Sequence, residues 1–426
     1  MTDTRPTLWR DTAFWGINLT QFFGAFNDNL YKELVLLLCL DHVGALGDDR
    51  YQSIAGGVFS VPFILFSGTA GMLSDRFSKR TVIILCKVAE IVVMLAGMLA
   101  FWVNSIPALM AVLFLMGTHS AFFGPSKYGI LPEMLRREDL PRANGVILMT
   151  TFLAIIFGFV AAGYAKELFG EAVWLACSLC VLVAVVGTCT SILIRPTAIA
   201  EPDLKFHWDA VAIPRQTLAL VRANRPLLGA VLACSVFYLV AGVVYPPAIN
   251  ALGKLQMKLG DKRTGALAAT IGGGIAVGCI LAGFLCRHRV RSLVVRTGAA
   301  GLVVCLILLA LPGPRAGGTW LGVWGSAVTL AVTGLFAGLF SVPLQVFVQA
   351  RAPQAQKGRV IAATNLMMWI GICLSAVVYG IANQILVVTL GWPPASAFAV
   401  SAMLMLPLAL FYRPPELELR DDTETA

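Results

Sequence analysis

Twelve apolar stretches, each long enough to cross a hydrocarbon core as a helix, run through this 426-residue chain. They cover about residues 14–40, 51–73, 81–103, 106–125, 144–165, 171–194, 227–250, 264–286, 293–312, 320–349, 360–388 and 392–412. Inside a bilayer the backbone must satisfy its own polar groups, so stretches of this kind predict an all-α integral membrane protein with twelve transmembrane helices. With 58% apolar and 13% charged residues and a mean hydropathy of +0.81, a soluble globule is excluded. The opening MTDTRPTLWRD leads straight into the first stretch, and no cleavable signal peptide is visible.

The basic residues set the orientation. If both termini are cytoplasmic, 23 lysines and arginines fall in inside segments and seven outside, namely Arg50, Lys166, Lys254, Lys258, Lys262, Arg263 and Arg315. That bias predicts a multi-pass membrane protein with both ends in the cytoplasm. The net charge of +9 then reads as topology and contact with anionic lipid, not as nucleic-acid binding. The ten cysteines all lie in spans or at their ends, which gives no disulfide framework. Cys177-x-x-Cys180 has no companion ligand pair and reads as helix packing, so no metal site is expected.

The first stretch is unusually polar. Asn27, Asp28, Asn29, Lys32 and Glu33 interrupt it, and at 1.5 Å per residue Asp28 falls near the midplane. Ionisable groups at that depth are costly, and they mark a substrate or ion path. The alternative is that Asp28 and Lys32, one turn apart, merely neutralise each other. Lys87 and Glu90 in the third stretch are likewise a turn apart, and either pair and snorkel toward the cytoplasm or join a buried site. His119 in the fourth is a hydrogen-bonded interior histidine or a proton relay.

An internal duplication follows. Gly71-Met-Leu-Ser-Asp75-Arg76-Phe-Ser-Lys79-Arg80 after the second span matches Gly283-Phe-Leu-Cys-Arg287-His288-Arg-Val-Arg291 after the eighth. A second match pairs Gly124-Pro125 and the later Arg142-Ala-Asn144-Gly with Val342-Pro343 and Arg359-Val-Ile-Ala-Ala-Thr-Asn365. The expected organisation is a six-helix half over residues 1–194, a cytoplasmic linker over 195–226 with a short amphipathic helix, and a second six-helix half over 227–426, with a substrate site between the halves.

GMLSDRFSKR resembles the signature loop between the second and third helices of the major facilitator superfamily. Within it, FFGAFNDNLYK, AFFGPSKYGILPEML and GRVIAATNL resemble the lysophospholipid transporter family over nearly the whole chain. The resemblance implies inward movement of lysophospholipid, such as lysophosphatidylethanolamine, across a bacterial inner membrane for re-acylation. It also implies a coupling ion, Na+ or H+, and no other cofactor. Two departures stand out. Leu148 occupies the place where the family's Ala-Asn-Gly run is often followed by a glutamate, and none of the four histidines has an aspartate five positions on, as an acyltransferase needs. The chain therefore reads as a monomeric transporter, not an enzyme, with any acyltransferase a separate partner.

The signature loop has its own physics. Gly71 lets the second helix approach a neighbour, and Asp75 is placed to accept hydrogen bonds from a facing helix N-terminus, that of the eleventh span. Arg76, Lys79 and Arg80 are expected to anchor the turn at the anionic surface. Together these form a latch, and Arg287 in the place of the Asp predicts an unequal second one. Segment 125–142 is expected to be an interfacial helix or a solvated basic loop. The second half has no Asp, Glu, Lys or Arg away from helix ends. A cavity with one polar and one apolar wall suits an amphipathic ligand, with Tyr238, Phe340, Gln345 and Asn365 as the second-half contacts. An exporter of hydrophobic drugs is the alternative on the same fold, and a scaffold or receptor would not need the midplane cluster.

Overall fold

The computed structural model describes residues 6–43, 48–170, 172–205, 214–313 and 318–419. Among them are twelve helices of 16 residues or more: α1 (Thr12–Val43), α2 (Asp48–Arg76), α3 (Lys79–Trp102), α4 (Ile106–Gly129), α5 (Leu140–Phe169), α6 (Val173–Ser191), α7 (Arg225–Val243), α8 (Asp261–Leu285), α9 (Ser292–Ala310), α10 (Gly322–Arg351), α11 (Lys357–Ala382) and α12 (Ser396–Phe411). Ten of the helical stretches are long and apolar enough to cross a membrane. The exceptions are α1, which carries the polar cluster, and α12, which has 16 residues. Local chemistry starts several of them. Ser105 accepts from the Ala108 N–H at the head of α4, and Asn224 accepts from that of Leu227 at the head of α7, each beside a proline in the first turn.

The first six helices pack on one another, as do the last six, and the two groups meet chiefly where α2 lies on α11 and α5 on α8. Among the described residues the apolar core falls into two clusters. One, from Leu30 to Ala184, stays within α1–α6. The other runs from Leu8, Phe14 and Ile17 through Leu131–Leu148 into α7–α12. Its first-group members sit near the end of the bundle that carries the basic turns, called here the basic end. The groups are thus fused at that end.

Several expectations change. Segment 125–142 is neither an interfacial helix nor a solvated loop: α4 continues to Gly129, and a short helix, Leu131–Met134, buries Leu131 and Met134 before α5 begins. The amphipathic linker helix is present as Arg215–Ala223 with Thr217 and Val221 buried, while 206–213 lie outside the described residues, as does Arg315. The glycine run of α8 divides its work. A Cβ at Gly278 would lie 2.1 Å from the Leu335 carbonyl oxygen and one at Gly338 would lie 2.4 Å from the Cys279 nitrogen, so α8 and α10 touch backbone to backbone. Gly273 faces open space.

Adding one methyl at Gly278 therefore forces two helices apart, at a cost of about 1–3 kcal/mol for overpacking. Gly278→Ala is expected to lower the melting temperature of the detergent-solubilised protein by several degrees. Gly273→Ala in the same helix is expected to leave it unchanged or raise it, since alanine is the better helix former. Equal melting of the two variants would refute the close contact.

Candidate functional site

Polar side chains from α1, α3 and α4 converge about halfway along the helices. Lys87 and Glu90 form a buried ion pair. They do not snorkel. Space for the ammonium comes from Gly24 on α1 and Gly187 on α6, where a Cβ would lie 3.5 and 2.8 Å from Lys87 Nζ. The second Glu90 oxygen accepts from Asn27 Nδ2 at 2.8 Å. Asp28 is not bonded to Lys32. Its Oδ2 accepts from Ser120 Oγ at 2.9 Å, and Lys32 lies over the Phe159 ring at 5.8 Å. Lys87, Glu90 and Lys32 are all close enough to act electrostatically on the Asp28 carboxylate, and His119 stands by Glu90 and Lys87.

Three buried atoms of this cluster, Asn27 Oδ1, Asp28 Oδ1 and His119 Nε2, have no hydrogen-bond partner among the described residues. His119 is thus not the fully bonded interior histidine. Unmet acceptors at this depth are costly unless something binds them. One amide oxygen, one carboxylate oxygen and one imidazole nitrogen are thus left unmet in the first six helices, and among the described residues no three acidic, histidine or cysteine side chains gather closely enough to hold a metal ion.

Other residues singled out in the sequence are placed elsewhere. Asn29 donates to Ala25 O one turn back in its own helix and packs near Gly158 of α5, so its amide does not join the cluster. Glu33 lies within electrostatic reach of Tyr245, on the stretch Val244–Ala248 that follows α7. Tyr238 packs edge-on to Phe237 at 5.4 Å and lies near Tyr128 of the first group. Phe340 is fully buried between Phe237 and Gly298, so it is core and not a cavity wall. Gln345 is buried on α10. Asn365 faces Gly124 of α4, its Nδ2 3.1 Å from where a Cβ would stand, and so lies between the groups.

At the basic end the Asp75 carboxylate accepts from the Gly358 and Arg359 N–H groups at 2.7 and 3.1 Å and from Arg359 Nε at 3.0 Å. These are the first turns of α11. Gly71 makes this possible, since a Cβ there would lie 2.7 Å from that of Ala362. Sequence reasoning missed the rest of the closure. Arg359 also pairs with Glu201, whose own N–H donates to Asp75 O at 2.9 Å, so the linker is tied into the contact. Lys79 is not at the lipid surface: it is fully buried against Glu133 at 2.6 Å, with the Lys357 charge nearby. Arg80 donates to Ile192 O at 3.2 Å, and Arg76 lies over Phe77. On the α5–α10 side, Asn144 and Gln349 exchange two amide hydrogen bonds of 2.8 Å, both side chains fully buried.

Removing one partner of the buried pair should be severe, on the order of 3–5 kcal/mol, whereas removing both should cost less. Lys87→Met is expected to abolish a monodisperse size-exclusion peak or lower the melting temperature by ten degrees or more. The double variant Lys87→Met/Glu90→Gln is expected to recover much of that loss. If the double variant is the worse of the two, the charges are not one unit.

Comparison with known proteins places this geometry. The sequence profile of the Major Facilitator Superfamily matches residues 19–376. The chain is 26% identical over 416 residues to the lysophospholipid transporter LplT of Citrobacter koseri, covering 94% of this chain and 98% of that one. It is 27% identical over 413 residues to LplT of Escherichia coli O1:K1, covering 94% and 97%. Among solved structures, the human organic anion transporter MFSD10 (TETRAN) aligns with a TM-score of 0.76 at 16% identity over 95% of this chain and 99% of that one. FucP in the outward conformation aligns at 0.73 and 12% identity over 93% and 97%. Twelve helices, groups joined along α2–α11 and α5–α8, and a profile match over most of the sequence have one meaning: this chain is a membrane transporter of the major facilitator superfamily.

Proposed function

We propose that the protein moves lysophospholipids, such as lysophosphatidylethanolamine, across the bacterial inner membrane by alternating access. The observation that carries this reading is the set of unmet acceptors around Asp28 in the first half, in a chain whose second half has no charge away from its helix ends. The head group sits in the α1–α3–α4 cluster, where an ammonium or a coupling Na+ or H+ finds Asp28, Asn27 and His119. The acyl chain lies against the apolar wall of the second half, where a charged cluster would have to be desolvated. The names of the relatives from Citrobacter koseri and Escherichia coli support the substrate class. Both termini are cytoplasmic in this reading, the basic end faces the cytoplasm, and a separate acyltransferase consumes the product.

The two halves, 1–194 and 227–426, move as bodies about the central site. Asp75 with the start of α11 is the latch that keeps the cytoplasmic side closed. A carboxylate at a helix N-terminus satisfies N–H groups that would otherwise be orphaned, and breaking it is the step toward the inward-open form.

Uptake of a panel of labelled lysophospholipids into proteoliposomes, with and without a sodium or proton gradient, tests the reading. Asp28→Asn keeps shape and removes charge, so it should fold normally and lose at least ten-fold in uptake rate. Wild-type uptake and ion dependence in this variant would make Asp28 a purely structural partner of Ser120. Efflux of a hydrophobic dye with no lysolipid uptake would replace the substrate assignment altogether.

A second test addresses the latch. Cys279 is buried with its backbone against Gly145 and Gly338, and opening of the α5–α8 seam exposes it. Asp75→Ala is expected to speed maleimide labelling of Cys279, read by peptide mass spectrometry, several-fold. Lysolipid affinity should change less than two-fold. Unchanged labelling would refute the latch role.

A further inference from the structure

The two seams between the halves are related by the sequence repeat, but they are closed by different chemistry. At the first, a Cβ on Gly71 would lie 2.9 Å from Arg359 Cα; at the second, one on Gly283 would lie 3.0 Å from Arg142 Cα. Arg142 is therefore the counterpart of Arg359, and residue 287 is the counterpart of Asp75. Arg359 meets the Asp75 and Glu201 carboxylates. Arg142 meets no acid from α8, because that position is Arg287.

The result is an excess of cation at the second seam. The nearest carboxylate oxygen to Arg142 is that of Asp139, at 3.8 Å, and the guanidinium rests over the Phe284 ring at 5.4 Å. Asp139 lies among three guanidinium groups, those of Arg136, Arg142 and Arg287, while the neighbouring Glu138 faces His288 at 3.6 Å. The Nε atoms of both Arg142 and Arg287 are buried without a hydrogen-bond partner among the described residues. One carboxylate, Asp139, thus stands among three guanidinium groups, and the second seam keeps an excess of positive charge.

Beside Arg142 lies a cavity of about 180 Å³ lined by Trp9, Trp15, Val146, Met149, Ile280 and Phe284, with Arg142 on its wall. Its lining comes from the lead-in to α1, from α1 and α5, and from α8, so both halves contribute. The side chains of Trp9, Trp15, Ile280 and Phe284 are exposed along it. Tryptophan at a membrane–water boundary and an apolar slot with an arginine stacked over the Phe284 ring on its wall match the chemistry of one lipid: phosphate outside, acyl chain inside.

We propose that one phospholipid of the cytoplasmic leaflet occupies this groove, its phosphate on Arg142 and Arg287 and one acyl chain between α1, α5 and α8. It supplies at the second seam negative charge beyond the single carboxylate of Asp139. Because the groove exists only while α5 and α8 are together, the bound lipid favours the form closed on the cytoplasmic side. The inference stands apart from the identity of the transported substrate.

Native mass spectrometry of the detergent-solubilised protein with added dioleoyl phosphatidylglycerol tests it. Wild type is expected to keep one phosphatidylglycerol under collisional activation that strips the others. Diolein, with the same chains and no phosphate, should not be retained. Arg142→Gln, which removes charge, and Ile280→Trp, which fills the slot and leaves the charge, should each lower retention at least five-fold, and Arg142→Lys should restore part of it. Leu99→Trp, on an exposed face of α3 far from the groove, should not change it. The lipid should also slow maleimide labelling of Cys279 several-fold in wild type and not in Ile280→Trp. Equal retention in all variants, or of diolein and phosphatidylglycerol alike, would mean adventitious annular lipid only and would overturn the proposal. So would protection of Cys279 by inorganic phosphate as strong as that by the lipid. If Arg142→Gln does not give a monodisperse peak, Ile280→Trp decides the matter.

Discussion

The first N–H groups of a helix have no partner within it, and at the start of α11 they point into a seam between two packed helices. Everything at the closed end follows from how that deficit is met. Asp75 provides two carboxylate oxygens and is itself fully buried, so its charge must be balanced in turn. Arg359 does so from the same turn of α11, and Glu201 faces the far side of the guanidinium. One requirement, to satisfy a helix end away from water, thereby fixes the tip of α2, the start of α11 and the chain between the halves in a single arrangement. Glycine at 71 is the steric condition for it.

The same requirement is met differently across the pseudo-twofold axis. The α5 side has the reciprocal amide pair Asn144–Gln349, a neutral contact. A neutral hydrogen bond contributes about 1 kcal/mol net and charge-assisted ones roughly twice that, so the two seams are unlike in strength and in sensitivity to salt. A transporter whose halves part along both seams at once is held mainly by one of them. The other, with two arginines and no opposing acid from α8, is the side on which a lipid can act.

Legibility in the sequence tracks the range of the interaction that decides each feature. Spans, basic turns and the repeat depend on patterns within twenty or thirty residues, and the twelve helices follow the apolar stretches. The contact between Asp75 and α11 was legible because a lone acid in a basic turn has few uses other than a helix N-terminus. Lys79 was misread because a lysine next to Arg80 looks like a membrane anchor, and nothing local announces that Glu133 will cover it. Asn144 and Gln349 are 205 residues apart, so their exchange of amide bonds leaves no local trace. Phe340 was misassigned for a related reason: aromatic residues on an apolar helix carry no mark of which face will be core. Asp28 stood out as an acid at mid-depth, but Ser120 as its partner did not.

The ion pair Lys87–Glu90 explains how such a polar cluster survives inside the first half. Each charge alone would be prohibitive at that depth, and together with Asn27 they form a neutral, bonded unit that links α1 to α3 while Gly24 and Gly187 leave room for the lysine. That unit ties the helices of one half to each other. Asp28, next along α1, has a free oxygen and a single serine partner. Fixed charges thus belong to the packed helices of the first half, and Asp28 beside them keeps one carboxylate oxygen with spare hydrogen-bonding capacity. With the ion pair fixed by packing and Asp28 only lightly held, a change at the Asp28 carboxylate leaves the contacts that join α1 to α3 in place.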